Sequence, residues 1–298
     1  MKIIVTGSLG HIGRPLTQML VAQGHAVTVI SSRAEGKTEI EALGAVGVVG
    51  SLEDAGFLEG VFGGADAVYC MVPPNYFFNG ADPIAYYKLI GANYATAIKA
   101  AGVGRVIHLS SFGAHLDSGT GLILGSHYVE GILNGLENVD ITHMRPTSFY
   151  YNLLSFIGMI KNAGFIAAAA GGDDPMTFVS PTDIAAAIAE EFSLPAEHRK
   201  VRYVASDEMT GTEAAGILGA AIGKPDLPWI KISEQQMLEG LTAHGMPERL
   251  AGLIVQLYSA LGSGRLAEDY NQHKPEVLGK VKMRNFAVEF AAAFNQKP

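Results

Sequence analysis

Three glycines at intervals of three residues directly follow a short β-branched run near the start of the chain. The run covers residues 2–6, the glycines are Gly7, Gly10 and Gly13, and residues 12–23 carry apolar side chains at helical spacing. Glycines let the backbone turn tightly and approach a pyrophosphate, and a helix N-terminus attracts an anion. The pattern therefore predicts a dinucleotide-binding loop between a strand and a helix.

Short apolar strands alternate with amphipathic helices up to about residue 150. Further strands are predicted at residues 25–30, 46–49, 67–72, 105–109 and 141–144. This alternation predicts an α/β fold in which a doubly wound parallel sheet is covered by helices on both faces. Beyond residue 150 the alternation is less regular, although residues 201–205 are predicted to form a returning strand.

Composition excludes several classes of protein. The 298 residues are 48% hydrophobic, carry a net charge of −8 and contain no basic run, so we expect no nucleic-acid partner. The single cysteine rules out an internal disulfide and a multi-cysteine zinc site, and no metal site is predicted. No apolar run reaches the length of a membrane span, and no basic segment precedes the first apolar run. We therefore expect a cytoplasmic protein without a membrane partner.

The end of the second strand indicates which dinucleotide binds. A site for NAD(H) usually has an acidic residue there for the ribose hydroxyls, but this chain has Ser31, Ser32 and Arg33. Arg33 can bind a 2′-phosphate through several donors, and either serine can add a hydroxyl contact. NADP(H) is thus favoured over NAD(H). The alternative is that Arg33 is a solvated side chain at a strand end.

Several segments resemble the NmrA-like branch of the atypical short-chain dehydrogenase/reductases. They are residues 6–13, 67–74, 101–111, 144–146 and 178–185. Within that branch the chain is similar to the bacterial NAD(P)H:quinone reductases and triphenylmethane reductases. The resemblance implies a Rossmann domain at residues 1–150, to which 176–205 return. It also implies a smaller, mainly helical C-terminal substrate domain at 151–175 and 206–298.

The loop and the resemblance together predict the cofactor contacts. His11 is expected to be a surface residue of the loop and not an acid or a base. The predicted cofactor-binding residues are Thr6, Gly7, Leu9, Gly10, His11, Ile12, Gly13, Ser31, Ser32, Arg33, Met71, Val72, Pro73 and Ser110.

The chain departs from the dehydrogenase superfamily at the catalytic Tyr-x-x-x-Lys motif. Tyr128, on the helix after the fifth strand, is followed four residues later by Ile132 and not by the lysine that lowers the tyrosine pKa. His127 and Tyr128 are the candidate catalytic residues, although either can equally be a helix-start residue.

Three functions are compatible with the loss of this pair. Hydride transfer to an electrophilic quinone, azo compound or dye needs no strong general acid. The alternatives are an NADP-binding redox-sensing regulator without catalysis, and a biosynthetic reductase or epimerase-like enzyme with a replaced pair. We expect the first, an NAD(P)H-dependent oxidoreductase that acts on a small molecule as a monomer or homodimer.

Aromatic residues favour a substrate pocket. Asn75, Tyr76 and Phe77 follow the fourth strand, and Phe149 and Tyr150 follow the sixth, at the sheet edge where doubly wound folds bind ligands. These residues are predicted to bind a flat, apolar substrate. The alternative is that the aromatic clusters join the two domains.

Three segments have the spacing of helix caps. Asp183, at the start of a helix that follows Ser180, is predicted to be a capping residue and not a catalytic one. Thr210 with Glu213, and Ser233 with Gln236, have capping-box spacing.

Overall fold

A computed structural model describes residues 1–74 and 82–296. The chain divides into two compact units. Unit 1 contains Met1–Ser111, Gly125–Arg145 and Ile184–Arg202, and unit 2 contains Phe112–Leu124, Pro146–Asp183 and Tyr203–Pro298.

The strands form one large sheet and two small ones. In chain order they are β1 (Lys2–Val5), β2 (Ala26–Ser31), β3 (Val46–Val49), β4 (Ala67–Cys70), β5 (Arg105–Leu109), β6 (Asp140–Pro146), β7 (Ser148–Phe149), β8 (Ile166–Ala168), β9 (Pro175–Val179), β10 (Arg199–Val204), β11 (Asp207–Thr210) and β12 (Trp229–Lys231). The large sheet has seven strands in the order β10-β6-β5-β4-β1-β2-β3. The six strands from β6 to β3 in this order pair in parallel, and the strand order reverses direction at β1. The predicted doubly wound parallel sheet is therefore confirmed.

Helices follow most strands of this sheet. In chain order the α-helices are α1 (Gly13–Ala22), α2 (Gly36–Ala42), α3 (Ala55–Phe62), α4 (Pro83–Ala101), α5 (Leu124–Asn134), α6 (Ile157–Ala163), α7 (Pro181–Ser193), α8 (Gly211–Ala221), α9 (Glu234–Ala243), α10 (Glu248–Gly262), α11 (Glu268–Gln272) and α12 (Met283–Asn295). Short 3-10 helices lie at Gly121–Ile123, Tyr150–Phe156 and Arg265–Ala267.

The central strands are apolar because both of their faces are covered. Ile3, Ile4 and Val5 of β1 are fully buried, as are all four residues of β4. Cys70, the last residue of β4, lies in this interior, where burial raises the pKa of its thiol.

Unit 2 has its own aromatic core. Tyr150 stacks between Phe178 and Phe286, at ring-centroid distances of 6.0 and 5.5 Å. Its two small sheets have the strand orders β11-β9-β7 and β12-β8.

The two units do not follow the predicted domain limits throughout. Residues 112–124 and 146–150 group with unit 2, and β9 pairs with β7 and β11 in the three-stranded sheet. By contrast, β10 joins the seven-stranded sheet, as predicted for residues 201–205. The assignment of cofactor and substrate roles to separate domains stays a prediction.

Two of the three predicted caps are confirmed. Thr210 with Glu213 and Ser233 with Gln236 each form a reciprocal capping box. At the third helix start, Ser180 is the N-cap, because its hydroxyl accepts a hydrogen bond from the Thr182 N–H at 3.2 Å, but the capping prediction for Asp183 is wrong. Its carboxylate accepts hydrogen bonds from the Ser206 hydroxyl (2.7 Å) and from the N–H groups of Lys280 (3.1 Å) and Val281 (3.0 Å).

No helix in the described part of the chain is both long enough and apolar enough to cross a membrane.

Two histidines face each other inside the large sheet. His108 on β5 and His143 on β6 are paired in register, with 3.0 Å between their Nδ1 atoms. Burial is the main cause that lowers the pKa of His108 to about 3 and that of His143 to about 4; the charge of Arg145 acts in the same direction, and that of Glu130 opposes it. Both imidazoles are therefore neutral at pH 7.

This pair predicts acid sensitivity. Because the pKa values are lower in the folded protein than in the unfolded chain, the unfolded chain binds more protons as the pH falls below about 6.5. The free energy of unfolding should therefore fall by about 2 kcal/mol per histidine between pH 7 and pH 5. Urea denaturation at both pH values measures this fall. His108→Gln should reduce it, whereas the same change at the exposed His244 should not; an identical pH dependence in both variants would contradict the assignment.

Candidate functional site

The glycine loop connects β1 to α1 through two left-handed residues. Gly7 has φ +88° and Ser8 has φ +60°. The Ser8 N–H donates to the Ile30 carbonyl oxygen at 2.9 Å, which ties the loop to β2. The end of α1 that meets the loop has no side-chain cap and no acidic residue in its first turn. It therefore keeps the partial positive charge that favours an anion.

The three glycines of the loop have different surroundings. A Cβ on Gly7 would lie 2.3 Å from Sδ of Met71, and a Cβ on Gly13 would lie 2.0 Å from the Ser8 carbonyl oxygen. A Cβ on Gly10 would meet nothing closer than the Gly7 carbonyl oxygen, at an ordinary 3.9 Å, and Gly10 is exposed. The fold thus requires glycine at positions 7 and 13 but not at 10. The open space at Gly10 is compatible with the predicted approach of a pyrophosphate to the backbone, which stays a prediction.

The carboxyl ends of β1 and β4 are held together by hydroxyl groups. Thr6 Oγ1 accepts a hydrogen bond from the Met71 N–H at 3.0 Å. The buried phenol of Tyr94, on α4, donates to the Met71 carbonyl oxygen at 2.6 Å and lies 3.0 Å from Thr6 Oγ1. The structure therefore brings the predicted residues Thr6 and Met71 together. Tyr94 is a supporting residue that the sequence analysis missed, because its partner Thr6 is 88 residues away.

The other predicted loop residues differ in exposure. Leu9 and Pro73 are partly buried and His11 is exposed. Ile12 and Val72 are each 8% exposed, so little of either side chain is open to a ligand.

At the end of β2 the two serines and the arginine have different environments. Ser31 is 2% exposed, and its hydroxyl bonds to the backbone of Arg33. Ser32 and Arg33 are exposed. Arg33 makes no ion pair with any residue in the described ranges, whereas the nearby Lys37 pairs with Glu41 at 3.7 Å. The predicted contact of Arg33 with a phosphate is compatible with this exposure and stays a prediction.

Ser110, at the end of β5, is part of a buried ionic cluster. Its hydroxyl donates to Glu130 Oε1 at 2.5 Å, and Arg145 binds the same carboxylate through two hydrogen bonds of 2.9 and 2.7 Å. Burial raises the pKa of Glu130, but the hydrogen bonds and charge of Arg145 outweigh this effect, and the pKa falls to about 2. The Ser110 hydroxyl is therefore engaged by a carboxylate, which argues against its predicted contact with a cofactor.

The sequence contained a signal for this cluster that the analysis did not use. Arg145 lies in a strand that is predicted to be buried between its neighbours, and a buried arginine requires an acidic partner. Glu130 is the acid on the neighbouring helix that provides this partner.

His127 and Tyr128 lie on a half-buried face of α5. The buried face of that helix carries Gly125, Ser126, Val129, Glu130 and Leu133. Lys88 of α4 places its Nζ 3.6 Å from the centre of the Tyr128 ring, and the His127 and Tyr128 rings meet edge to face at 5.7 Å. Their catalytic role stays a prediction.

The structure describes two of the five predicted substrate-binding residues. Asn75, Tyr76 and Phe77 lie outside the described residues. Phe149 is partly buried beside Tyr151. Tyr150 is 1% exposed, and its hydroxyl donates to Asp207 Oδ2 at 2.7 Å. This placement in the core of unit 2 argues against a substrate contact for Tyr150.

No metal site is formed within residues 1–74 and 82–296. In these ranges no three or more side chains of histidine, cysteine, aspartate or glutamate are placed to hold a metal ion.

Comparison with known families matches residues 1–287 to the NmrA-like family. The chain belongs to this family. An NAD(P)H azoreductase from Xenophilus azovorans is 27% identical over 294 residues, which are 98% of this chain and 97% of that protein. A (4-alkanoyl-5-oxo-2,5-dihydrofuran-3-yl)methyl phosphate reductase from Streptomyces griseus is 28% identical over 75% of this chain and 74% of that protein.

Solved structures share the fold across nearly the whole chain. The Citrobacter triphenylmethane reductase complexed with NADP(H) has a TM-score of 0.80 at 20% identity, with 97% of this chain and 99% of that chain covered. The Escherichia coli NADPH-dependent quinone oxidoreductase complexed with NADPH has a TM-score of 0.81 at 21% identity, with 96% and 99% covered.

The open surroundings of Gly10 generate a prediction. Gly10→Val should abolish measurable NADPH binding and leave the melting temperature nearly unchanged, because a branched side chain occupies space that only the ligand needs. Nicotinamide fluorescence titration and thermal denaturation measure the two quantities.

Gly104→Val is the matched control. Gly104 is an exposed loop glycine with open space around it, and it precedes the amino end of β5. This variant should bind NADPH as the unchanged protein does. Unchanged affinity in a folded Gly10→Val protein would refute the assignment of the loop.

Proposed function

We propose that this protein is an NAD(P)H-dependent reductase that transfers a hydride to a small, aromatic, electrophilic acceptor of the quinone, azo or dye type. NADPH is the proposed preferred donor. The observation that carries this proposal is the exposed Arg33 at the end of β2, which has no ion-pair partner among residues 1–74 and 82–296, in a chain whose glycine loop leaves space at Gly10. The named relatives, an NAD(P)H azoreductase and a (4-alkanoyl-5-oxo-2,5-dihydrofuran-3-yl)methyl phosphate reductase, support the reaction class.

The residues of the loop fit a dinucleotide. The backbone at Gly10 and the uncapped N-terminus of α1 would hold the pyrophosphate. Arg33, with the exposed Ser32 beside it, would bind the 2′-phosphate through charge-assisted hydrogen bonds. When bound, the nicotinamide supplies the hydride.

The proposed contribution of the chain is to position the acceptor, and no side chain is proposed to act as a strong acid in the hydride transfer. Ile132 stands where the lysine of the dehydrogenase pair would stand, and the carboxylate of Glu130 on the same helix is engaged by Arg145. An electrophilic acceptor does not need protonation before it takes a hydride, and water can protonate the product. Orientation of the acceptor is then the main contribution of the protein.

Substrate contacts are proposed for Phe149 and for Asn75, Tyr76 and Phe77. Tyr150 is left out of this set because it is buried. We also propose a cytoplasmic location and a monomeric or homodimeric state, which rest on the sequence alone.

The direct test is an absorbance assay of NADPH oxidation with quinones, azo dyes and triphenylmethane dyes as acceptors. The protein should oxidise NADPH with at least one of these classes, and the Gly10→Val variant should not. Tight NADPH binding without turnover of any acceptor would favour the redox-sensing regulator instead.

We expect the Arg33 side chain to strengthen the binding of NADPH and to have little effect on the binding of NADH. Arg33→Ala should weaken NADPH binding by about 1.5–3 kcal/mol, the range for hydrogen bonds to charged groups, and hardly change NADH binding. Calorimetric titration of both cofactors measures the difference. Lys37→Ala is the matched control, since its ammonium group pairs with Glu41, and it should affect both cofactors little. Equal weakening of NADPH and NADH by Arg33→Ala would assign Arg33 a different role.

The Tyr128 hydroxyl should not be essential. Tyr128→Phe keeps the aromatic ring beneath Lys88 and removes only the hydroxyl, so quinone turnover should fall by at most about tenfold, the effect of a single hydrogen bond. Steady-state kinetics with a quinone provide the measurement. A loss of about three orders of magnitude would instead identify Tyr128 as the proton donor.

A further inference from the structure

The last residue of β2, Ser31, closes the turn that carries Arg33. Its Oγ accepts a hydrogen bond from the Arg33 N–H at 3.2 Å and donates one to the Arg33 carbonyl oxygen at 2.9 Å. Bonds from a serine hydroxyl to the backbone two residues later stabilise such turns. One side chain thus fixes both polar groups of the Arg33 backbone.

The same hydroxyl connects this turn to the glycine loop. The Ser8 hydroxyl donates to Ser31 Oγ at 3.3 Å, and the Ser8 N–H binds the Ile30 carbonyl oxygen. Ser8 is one of the two left-handed residues of the loop. Ser31 therefore lies between the backbone that would hold the pyrophosphate and the residue that would hold the 2′-phosphate.

These contacts use the full hydrogen-bonding capacity of the Ser31 hydroxyl. A hydroxyl has one proton to donate and two lone pairs that accept. Ser31 donates once, to Arg33, and accepts twice, from Arg33 and Ser8. With 2% of the residue exposed, Ser31 has neither a free lone pair nor an open surface for a ligand. A direct contact between Ser31 and a phosphate, which the sequence favoured, does not fit this geometry.

Gly36, the first residue of α2, packs against the same Ser31 hydroxyl. A Cβ on Gly36 would lie 2.7 Å from Ser31 Oγ, so only glycine fits there without displacing it. The Gly36 N–H donates to the Arg33 carbonyl oxygen at 3.3 Å. The backbone of Arg33 is held on both sides, while its guanidinium stays exposed.

We propose that Ser31 is a positioning residue that sets the preference for NADPH over NADH through Arg33, without touching the cofactor. The inference rests on the proposed function. The hydroxyl network fixes the position of Arg33 relative to the glycine loop, and this relation matters only for a ligand that carries a 2′-phosphate. Loss of the network lets the turn relax and lowers the affinity for NADPH more than that for NADH.

The test uses two variants of Ser31 in the full chain. Ser31→Ala removes the hydroxyl, and Ser31→Cys retains a side chain of similar size with a much weaker hydrogen-bonding group. Dissociation constants for NADPH and NADH are measured by nicotinamide fluorescence, with thermal denaturation to verify folding. In both variants the ratio Kd(NADH)/Kd(NADPH) should fall by about threefold to tenfold, as expected for one or two hydrogen bonds.

A double-mutant cycle with Arg33 separates positioning from direct contact. If Ser31 acts through Arg33, the variant with both Ser31→Ala and Arg33→Ala should have the same ratio as Arg33→Ala alone. If Ser31 itself touched the phosphate, the two losses would multiply, and the proposal would be overturned.

Ser51→Ala is the matched control. Ser51 follows the neighbouring strand β3, and its Oγ accepts from the Glu53 N–H at 3.1 Å in a similar turn. Its removal should leave the cofactor ratio unchanged.

The remaining outcomes separate this proposal from the proposed function. A clear preference for NADPH in the unchanged protein, together with an unaltered ratio or equal weakening of both cofactors in the Ser31 variants, refutes only the role of Ser31. No preference for NADPH in the unchanged protein refutes the cofactor assignment itself, and the role of Ser31 is refuted with it.

Discussion

The passage from β1 into α1 depends on a close approach of two backbone segments. At Gly13 the helix begins so near the Ser8 carbonyl oxygen that a Cβ would lie 2.0 Å from it. This approach lets the chain turn from β1, an inner strand of the sheet, into the helix within one short loop. The neighbouring strands β2 and β4 then end beside that loop, which receives one hydrogen-bonded tie to Ile30 and a hydroxyl tie to Met71. The close approach at Gly13 therefore brings together, within unit 1, the candidate cofactor-binding residues at the ends of β1, β2 and β4.

The sequence predicted the large sheet well because parallel strands that are buried on both faces have continuous apolar runs. Capping boxes were also predictable, since both partners lie within one helical turn. Asp183 was misassigned because its partners Lys280 and Val281 are almost a hundred residues away and contribute only backbone N–H groups. Because every residue except proline has a backbone N–H, the sequence does not indicate which of these groups bind Asp183. Ser31 was recognised as important, but its burial depends on how α2 and the glycine loop pack around it, and local spacing does not encode that packing.

The helix α5, on which the Tyr-x-x-x-Lys motif is missing, has a buried ion pair in its interior. Its buried face presents Glu130, which is paired bidentately with Arg145 and capped by Ser110. Removal of one member of such a pair would leave an uncompensated buried charge, at a cost of about 3–5 kcal/mol. The cluster therefore serves as a rigid connection between β5, β6 and the helix, and its charges are not free for proton transfer. A reaction that depends on orientation suits this arrangement better than one that depends on an ionising side chain.

The burial of Cys70 has a chemical consequence for an enzyme of this proposed class. Quinones and related electrophiles add to thiolates, and many proteins that meet them are arylated at exposed cysteines. Here the single cysteine of the chain is enclosed in β4 with a raised pKa, so both the access and the thiolate needed for that addition are absent. Arylation of this thiol by an acceptor of the proposed class is therefore disfavoured.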